Sequence, residues 1–259
     1  KNLGSRLFQR SRGRRNVITP AGEALYRYAC EALSKSAGLQ REMRQFGADD
    51  HMISLGVQRA LANYVLPHIL ADFLRGRPAV RMSVNGETQE TCLDLYRAGK
   101  VDAAILFSGP DTKSGNGQII GSEPLQLVTA PGHPLARYKG LQLCDLNDHD
   151  FVGGLKESQF YGLIESNLRS GGLTRYNVVL HMQDSVAIKN AVMHGLGIAC
   201  TLASVVAQEV ADGKLTLLDA SRSLPALPIT LLAEPHPAST AIISELLPFL
   251  RRGFSAPKA

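Results

Sequence analysis

Two apolar periods follow one another along this chain, and the switch between them divides it. From residue 25 to 46 the apolar and small positions Leu25, Ala29, Ala32, Ser36, Leu39, Met43 and Phe46 recur at spacings of 4, 3, 4, 3, 4 and 3. That spacing predicts one long helix with a heptad seam. Arg27, Glu31, Lys35, Arg41, Glu42 and Arg44 lie beside the seam. A stripe this narrow suits pairing with a second helix, as in a homodimer, better than lying on the body of its own chain. The small Ala and Ser members make such pairing weak by itself. Thr19 supplies the helix cap, and Pro20 fits the first helical position, where no amide donor is needed. Ahead of it, residues 3–8 predict a helix end and a strand or turn. Val17-Ile18 close a small hairpin, with Gly13 in the loop between.

After Gly47-Ala48-Asp49-Asp50 the pattern becomes strand-length apolar runs alternating with amphipathic helices. Residues 53–57 read as a strand. Residues 61–75 read as a helix with Leu66, Ile69, Leu70, Phe73 and Leu74 on one side and Pro67 in its first turns. A strand at 79–84 alternates through Val80, Met82 and Val84. A helix at 88–98 and a buried strand at 101–107 complete a β-α-β-α-β order, which implies a parallel sheet covered by helices. A second round follows: strand 125–130, helix 158–170, strand 176–182, helix 185–194, strand 197–201, helix 203–212 and strand 215–218. Residues 229–233 form a strand returning to the first unit, and 238–251 a closing helix. The expected fold is α/β: two Rossmann-like subdomains with a hinge and a ligand cleft between them.

Charge changes this picture at one end only. Residues 1–50 hold ten Lys or Arg against five Asp or Glu, and residues 51–259 hold eighteen of each, so the formal excess of +5 belongs to the first fifth of the chain. The basic side chains Arg6, Arg10, Arg12, Arg14 and Arg15 form an arm suited to a nucleic-acid backbone. No apolar run approaches the roughly 20 residues of a spanning helix. Cys30, Cys92, Cys144 and Cys200 contain no CxxC pair, which points to buried or half-buried thiols, a reducing cytoplasmic setting and no zinc site. The seven histidines form no HxxH or HExxH spacing, and no GxSxG, P-loop or complete GxGxxG occurs. Catalysis is therefore not expected, nor is a cofactor or metal.

Open α/β sheets place ligands at the C-terminal ends of their strands. The candidates there are Gln58, Arg59 and Ala60 after the first strand, Glu87 and Thr88 after the second, and Phe107 and Ser108 after the third. The second unit adds Gln183, Asp184, Ser185 and Thr201. For Thr88 and Ser185 the alternative role is ordinary helix capping.

The string LGSRLFQRSRGRRNVITPAGEALY resembles the end of the winged helix-turn-helix domain of LysR-type transcriptional regulators, through Leu3, Gly4, Arg6, Leu7, Phe8, Arg10, Thr19, Ala21 and Gly22. Three later stretches agree in order: LANYVLPHILADFLRGRPAVRMSV, the turn Pro131-Gly132-His133-Pro134-Leu135-Ala136, and Val192 to Ala199 with Gly195-Leu196-Gly197-Ile198. The resemblance implies a type 2 periplasmic-binding-protein fold that senses a small molecule in its cleft and changes how a homodimer or homotetramer engages promoter DNA. It divides the chain into a C-terminal remnant of the winged helix-turn-helix (1–18), a linker and dimerisation helix (19–47), effector subdomain I (52–130 plus 231–259) and effector subdomain II (131–230). The family's recognition helix would precede Lys1. Where members carry small hydroxyl residues after the first effector-domain strand, this chain has Gln58-Arg59-Ala60, and Arg59 offers a fork for an anionic effector such as an organic or aromatic acid. Peroxide-sensing members use a reactive cysteine pair; with no second cysteine near it in sequence, Cys200 reads as buried. Two alternatives are a solute-binding protein of the periplasmic type and an oligomerising fragment without sequence-specific DNA binding.

Overall fold

Where the apolar run is unbroken the strand is buried throughout, and where it alternates, as over Arg81–Glu87, the strand stays half-exposed. In the computed structural model, which describes residues 4–9, 17–29, 32, 36, 52–109, 117–233 and 237–255, every residue of the strand Ala103–Phe107 is buried. The first α/β unit runs β3 (Met52–Gln58), α2 (Arg59–Tyr64), α3 (Leu66–Leu74), β4 (Arg81–Glu87), α4 (Gln89–Arg97), β5 (Ala103–Phe107) and β6 (Gln118–Glu123), and is completed by β12 (Leu227–Ala233) and α8 (Pro237–Ser255). Its sheet has the order β4-β3-β5-β12-β6. The second unit runs β7 (Leu125–Thr129), β8 (Asp150–Gly154), α5 (Gln159–Ser170), β9 (Asn177–Met182), α6 (Ser185–Met193), β10 (Ile198–Leu202), α7 (Ala203–Ala211) and β11 (Thr216–Leu217), with sheet order β11-β7-β10-β8-β9.

Both sheets are mixed, which corrects the expectation of a parallel sheet. β3 runs parallel to β4 and β5, but β12 enters antiparallel to both β5 and β6. In the second sheet β8 is parallel to β9 and β10, while β7 is antiparallel to β10 and β11. The chain passes between units twice, at Pro124 and between Leu224 and Leu227. A return strand that arrives from the other unit, without a crossover helix, enters its sheet antiparallel. The subdomain boundaries expected at 130 and 230 therefore move. β7 lies wholly in the second sheet and the whole of β12 in the first.

The expected helix 61–75 is two helices broken at Val65. Pro67 has no amide hydrogen to continue the first and occupies the opening turn of the second. Ile69 and Phe73 of α3 pack with Leu246 and Leu250 of α8 over one face of the first sheet, and α4 buries Cys92 and Leu93 against Ala104, Leu106 and Leu232 on the other. In the second unit Leu127, Phe151, Val152 and Ile198 lie under Ile164, Leu168, Val192 and Val206.

Near the N-terminus, β1 (Phe8–Gln9) and β2 (Val17–Ile18) form the small hairpin, with Phe8 opposite Ile18. Residues 20–29 are helical and form α1. The Thr19 hydroxyl accepts from Gly22 N at 3.1 Å and donates to Arg6 O at 2.6 Å, so one side chain caps α1 and ties the arm to it. A Cβ on Gly22 would collide with the Leu7 carbonyl, which is why glycine stands there. Of the heptad seam, Leu25 and Ala29 are half-buried, and Ala32 and Ser36 are exposed. Leu39, Met43 and Phe46 lie outside the described residues, as do Gly13, Arg10, Arg12, Arg14 and Arg15. Among the described residues, no helix is long and apolar enough to cross a membrane.

Candidate effector cleft

Five strand ends reach the space between the units, those of β3 and β4 from the first and those of β8, β9 and β10 from the second. Each leads straight into a helix, and in three cases a polar side chain closes that helix's first turn. Thr88 Oγ1 accepts from Thr91 N at 3.3 Å at the start of α4. Ser158 Oγ accepts from Tyr161 N at 3.3 Å at the start of α5. Asp184 Oδ1 accepts from Val186 N at 2.7 Å at the start of α6. The short α2 begins after Gln58 without a side-chain cap. These turns enclose a cavity of about 300 Å³.

From the first unit the wall includes the expected residues Gln58, Arg59, Ala60, Glu87 and Thr88, and from the second Gln183, Asp184, Ser185 and Thr201. Gln58 is 5% exposed, and its Oε1 accepts from Phe107 N at 3.0 Å. That bond fixes the amide's orientation, so Nε2 is left as a donor at the cavity without a partner among the described residues. Thr201, 8% exposed, likewise has a hydroxyl with no hydrogen-bond partner among the described residues. The Arg59 guanidinium stands 3.6 Å from Glu87 Oε2, a loose and partly solvated pair of the kind that contributes at most about 1 kcal/mol.

Two expected residues do not line the cavity. Phe107 is fully buried, because β5 continues in register with β12 (Phe107 opposite Ile229) and keeps its last residue inside the sheet. Its ring stacks on Phe160 of α5 with centroids 5.0 Å apart, so it joins the two units beneath the cleft. Ser108 donates its amide to Pro228 O at 2.7 Å and shares a 2.6 Å hydroxyl contact with Thr230 on β12.

β8 and the turn after it were absent from the sequence expectation, and with the start of α5 they supply Gly154, Leu155, Glu157, Phe160 and Tyr161 to the wall. β8 carries only two large apolar residues, Phe151 and Val152, before Gly153-Gly154, so its pattern is too short to announce a strand. The two glycines are the missed signal. A Cβ on Gly153 would fall 2.6 Å from Tyr161 Cζ, and one on Gly154 2.9 Å from Tyr161 Cβ. The bare backbone is the surface on which the Tyr161 ring lies. Burial holds the Tyr161 hydroxyl well above its usual pKa, with nearby Tyr176 and Glu165 adding to the shift, so it stays protonated.

Cys200, half-buried, also reaches the cavity wall, and burial pushes its thiol far up from the ordinary range. Cys92 is buried, whereas Cys144 is exposed, contrary to the expectation of buried or half-buried thiols throughout. Among the described residues, no group of three His, Cys, Asp or Glu side chains is placed to hold a metal ion.

Below the cavity the units also meet through α6 and α7. Lys189 Nζ contacts Glu209 Oε1 at 2.6 Å, donates to Val205 O at 3.2 Å, and lies 5.5 Å from the ring centroid of Tyr64 in the first unit.

A family model described as the LysR substrate binding domain matches residues 47–255. The chain is similar to the HTH-type transcriptional regulator CfxR of Cupriavidus necator, 26% identical over 218 residues that cover 84% of this chain and 68% of CfxR. The regulatory domain of Synechocystis CcmR in complex with 2-PG superposes with a TM-score of 0.69 at 23% identity, covering 80% of this chain and 99% of that one. The effector binding domain of QuiR in complex with shikimate gives 0.68 at 18%, covering 79% and 99%. At these identities the two structures establish a shared fold. With a family match over most of its length, two five-stranded subdomains and a polar cleft between them, this chain belongs to the LysR-type transcriptional regulators and carries their substrate-binding domain.

Proposed function

We propose that the interdomain cavity is the effector site of a cytoplasmic, DNA-binding regulator, and that its effector is a small molecule bearing an anionic group. The observation carrying this is the pair of donors at the cavity, Gln58 Nε2 and the Thr201 hydroxyl, one from each unit, on residues that are themselves buried and without a hydrogen-bond partner among the described residues. Both atoms open onto the cavity, where their partner is either water or an acceptor on a bound molecule. Arg59 stands beside Gln58 and adds a charged fork for a carboxylate. The small molecules named with the CcmR and QuiR structures support a ligand in a domain of this fold. A ligand touching both units would favour their closed arrangement by its differential affinity, and in an oligomer joined through the heptad helix that shift would reach bound promoter DNA. The basic arm, with Arg6, Arg10, Arg12, Arg14 and Arg15, contributes backbone contacts.

Thermal-shift screening with small organic and aromatic carboxylates tests the site. An acid that binds should raise the Tm of the unmodified protein and raise that of Arg59→Ala much less. Equal stabilisation of both proteins would remove Arg59 as the anchor. For the arm, replacing Arg12, Arg14 and Arg15 by Ala should flatten the salt dependence of promoter binding in gel shifts; an unchanged slope counts against phosphate contacts there.

A further inference from the structure

The charges around the cavity ask for more than an acid. Among the described residues, its wall carries one cationic side chain, Arg59, and four carboxylates, Glu87, Glu90, Glu157 and Asp184. Glu87 is engaged with Arg59, which leaves three carboxylates with no cation on the wall. Each stands at the start of its own helix: Glu90 in the first turn of α4, Glu157 directly before the Ser158 cap of α5, and Asp184 as the cap of α6. A helix N-terminus presents about half a positive charge. Each carboxylate therefore more than cancels the helix end it occupies, and the three pairs leave the wall negative by about one and a half charges. An effector that is only an anion would have to compete with Glu87 for Arg59 and would then face this excess. Gln58 Nε2 and Thr201 Oγ1, on residues 5% and 8% exposed and without a partner among the described residues, remain free at the cavity to donate to an acceptor there.

We propose that the effector carries a protonated amine together with its carboxylate, as a free amino acid or a similar zwitterion does. Its carboxylate takes the Gln58 amide and Arg59. Its ammonium faces Glu90, Glu157 and Asp184 and neutralises part of the excess there. This rests on the cavity being the effector site, and the test separates the two claims.

The full chain is titrated by calorimetry and thermal shift with the standard amino acids, each beside the same carbon skeleton lacking the amine: propionate for alanine, 3-phenylpropionate for phenylalanine, 4-methylpentanoate for leucine. The expected result is that at least one amino acid raises the Tm and that its deamino acid binds at least about tenfold more weakly. Glu157→Gln and Asp184→Asn should each weaken that amino acid by about tenfold while leaving the ligand-free Tm in place, since Asn caps a helix as well as Asp does. Binding of the deamino acid should be unmoved or strengthened by the same variants, which a merely structural role would not produce. A deamino acid that binds as tightly as its parent overturns the zwitterion while leaving the cavity as the effector site. The absence of binding by either set overturns both.

Discussion

Replacing Gly153 by Ala tests whether the end of β8 exists to seat Tyr161. An added Cβ would fall 2.6 Å from Tyr161 Cζ and 3.0 Å from Cε2, far inside the roughly 3.5–4.0 Å at which carbon atoms attract. Overpacking of this kind costs about 1–3 kcal/mol. Loss of glycine's freedom in the unfolded chain offsets about 0.4–1 kcal/mol of it. The net loss expected is about 1–2 kcal/mol, a Tm lower by about 2–8 °C for a unit of this size. Tyr161→Ala alone removes a largely buried ring and should cost about 3–5 kcal/mol. In that background the obstacle is gone, and Gly153→Ala should become neutral or slightly stabilising. A double-mutant cycle by urea denaturation should therefore return a coupling of about 1–3 kcal/mol between the two positions. Simple additivity would mean that the ring does not lie on the strand, and the account of this wall would fail.

Three further outcomes follow from the packing. Glu209→Gln removes the partner of the nearly buried Lys189 and should cost about 3–5 kcal/mol in urea denaturation; a change within experimental error would show that the Lys189 charge reaches water. Alkylation at pH 8 followed by mass spectrometry should modify Cys144 well before Cys92, which is buried and whose thiol burial pushes up to about 11; equal labelling would place Cys92 at the surface. Burial, reinforced by the hydrogen bond to Glu165, raises Tyr176 to about 12. Because the unfolded phenol ionises first, near pH 10, the stability this group contributes is complete below about pH 10 and is lost as pH rises towards 12. Tyr176→Phe should flatten that alkaline fall in Tm, and an unaltered fall would assign it to other groups.

Much of the cleft was legible because its residues mark local boundaries. Gln58, Glu87, Gln183 and Thr201 stand at or just beyond the ends of apolar runs, and Thr88 and Asp184 are the kind of side chain that closes a first helical turn. Phe107 looked equivalent to them at the end of its own run. Only its pairing with Ile229, far along the chain, shows that the sheet continues past it and that its ring turns towards Phe160 instead. The β8–α5 wall was hidden for the opposite reason. Gly153 and Gly154 have no side chain to enter a periodic pattern, and their meaning lies in the ring placed over them.

By itself, the amino-acid sequence determined most of the elements, their order and the family, since periodicity, caps and motif spacing are properties of residues a few positions apart; β6, β8 and the break at Val65 escaped it. Tertiary structure alone decided that β7 belongs to the second sheet and β12 to the first, that both sheets are mixed, and that Glu90, Glu157 and Asp184 share the wall of one small cavity with Arg59. Coulomb interaction and packing depend on distance through space, and residues 59, 90, 157 and 184 become neighbours only once two separately wound sheets are set face to face.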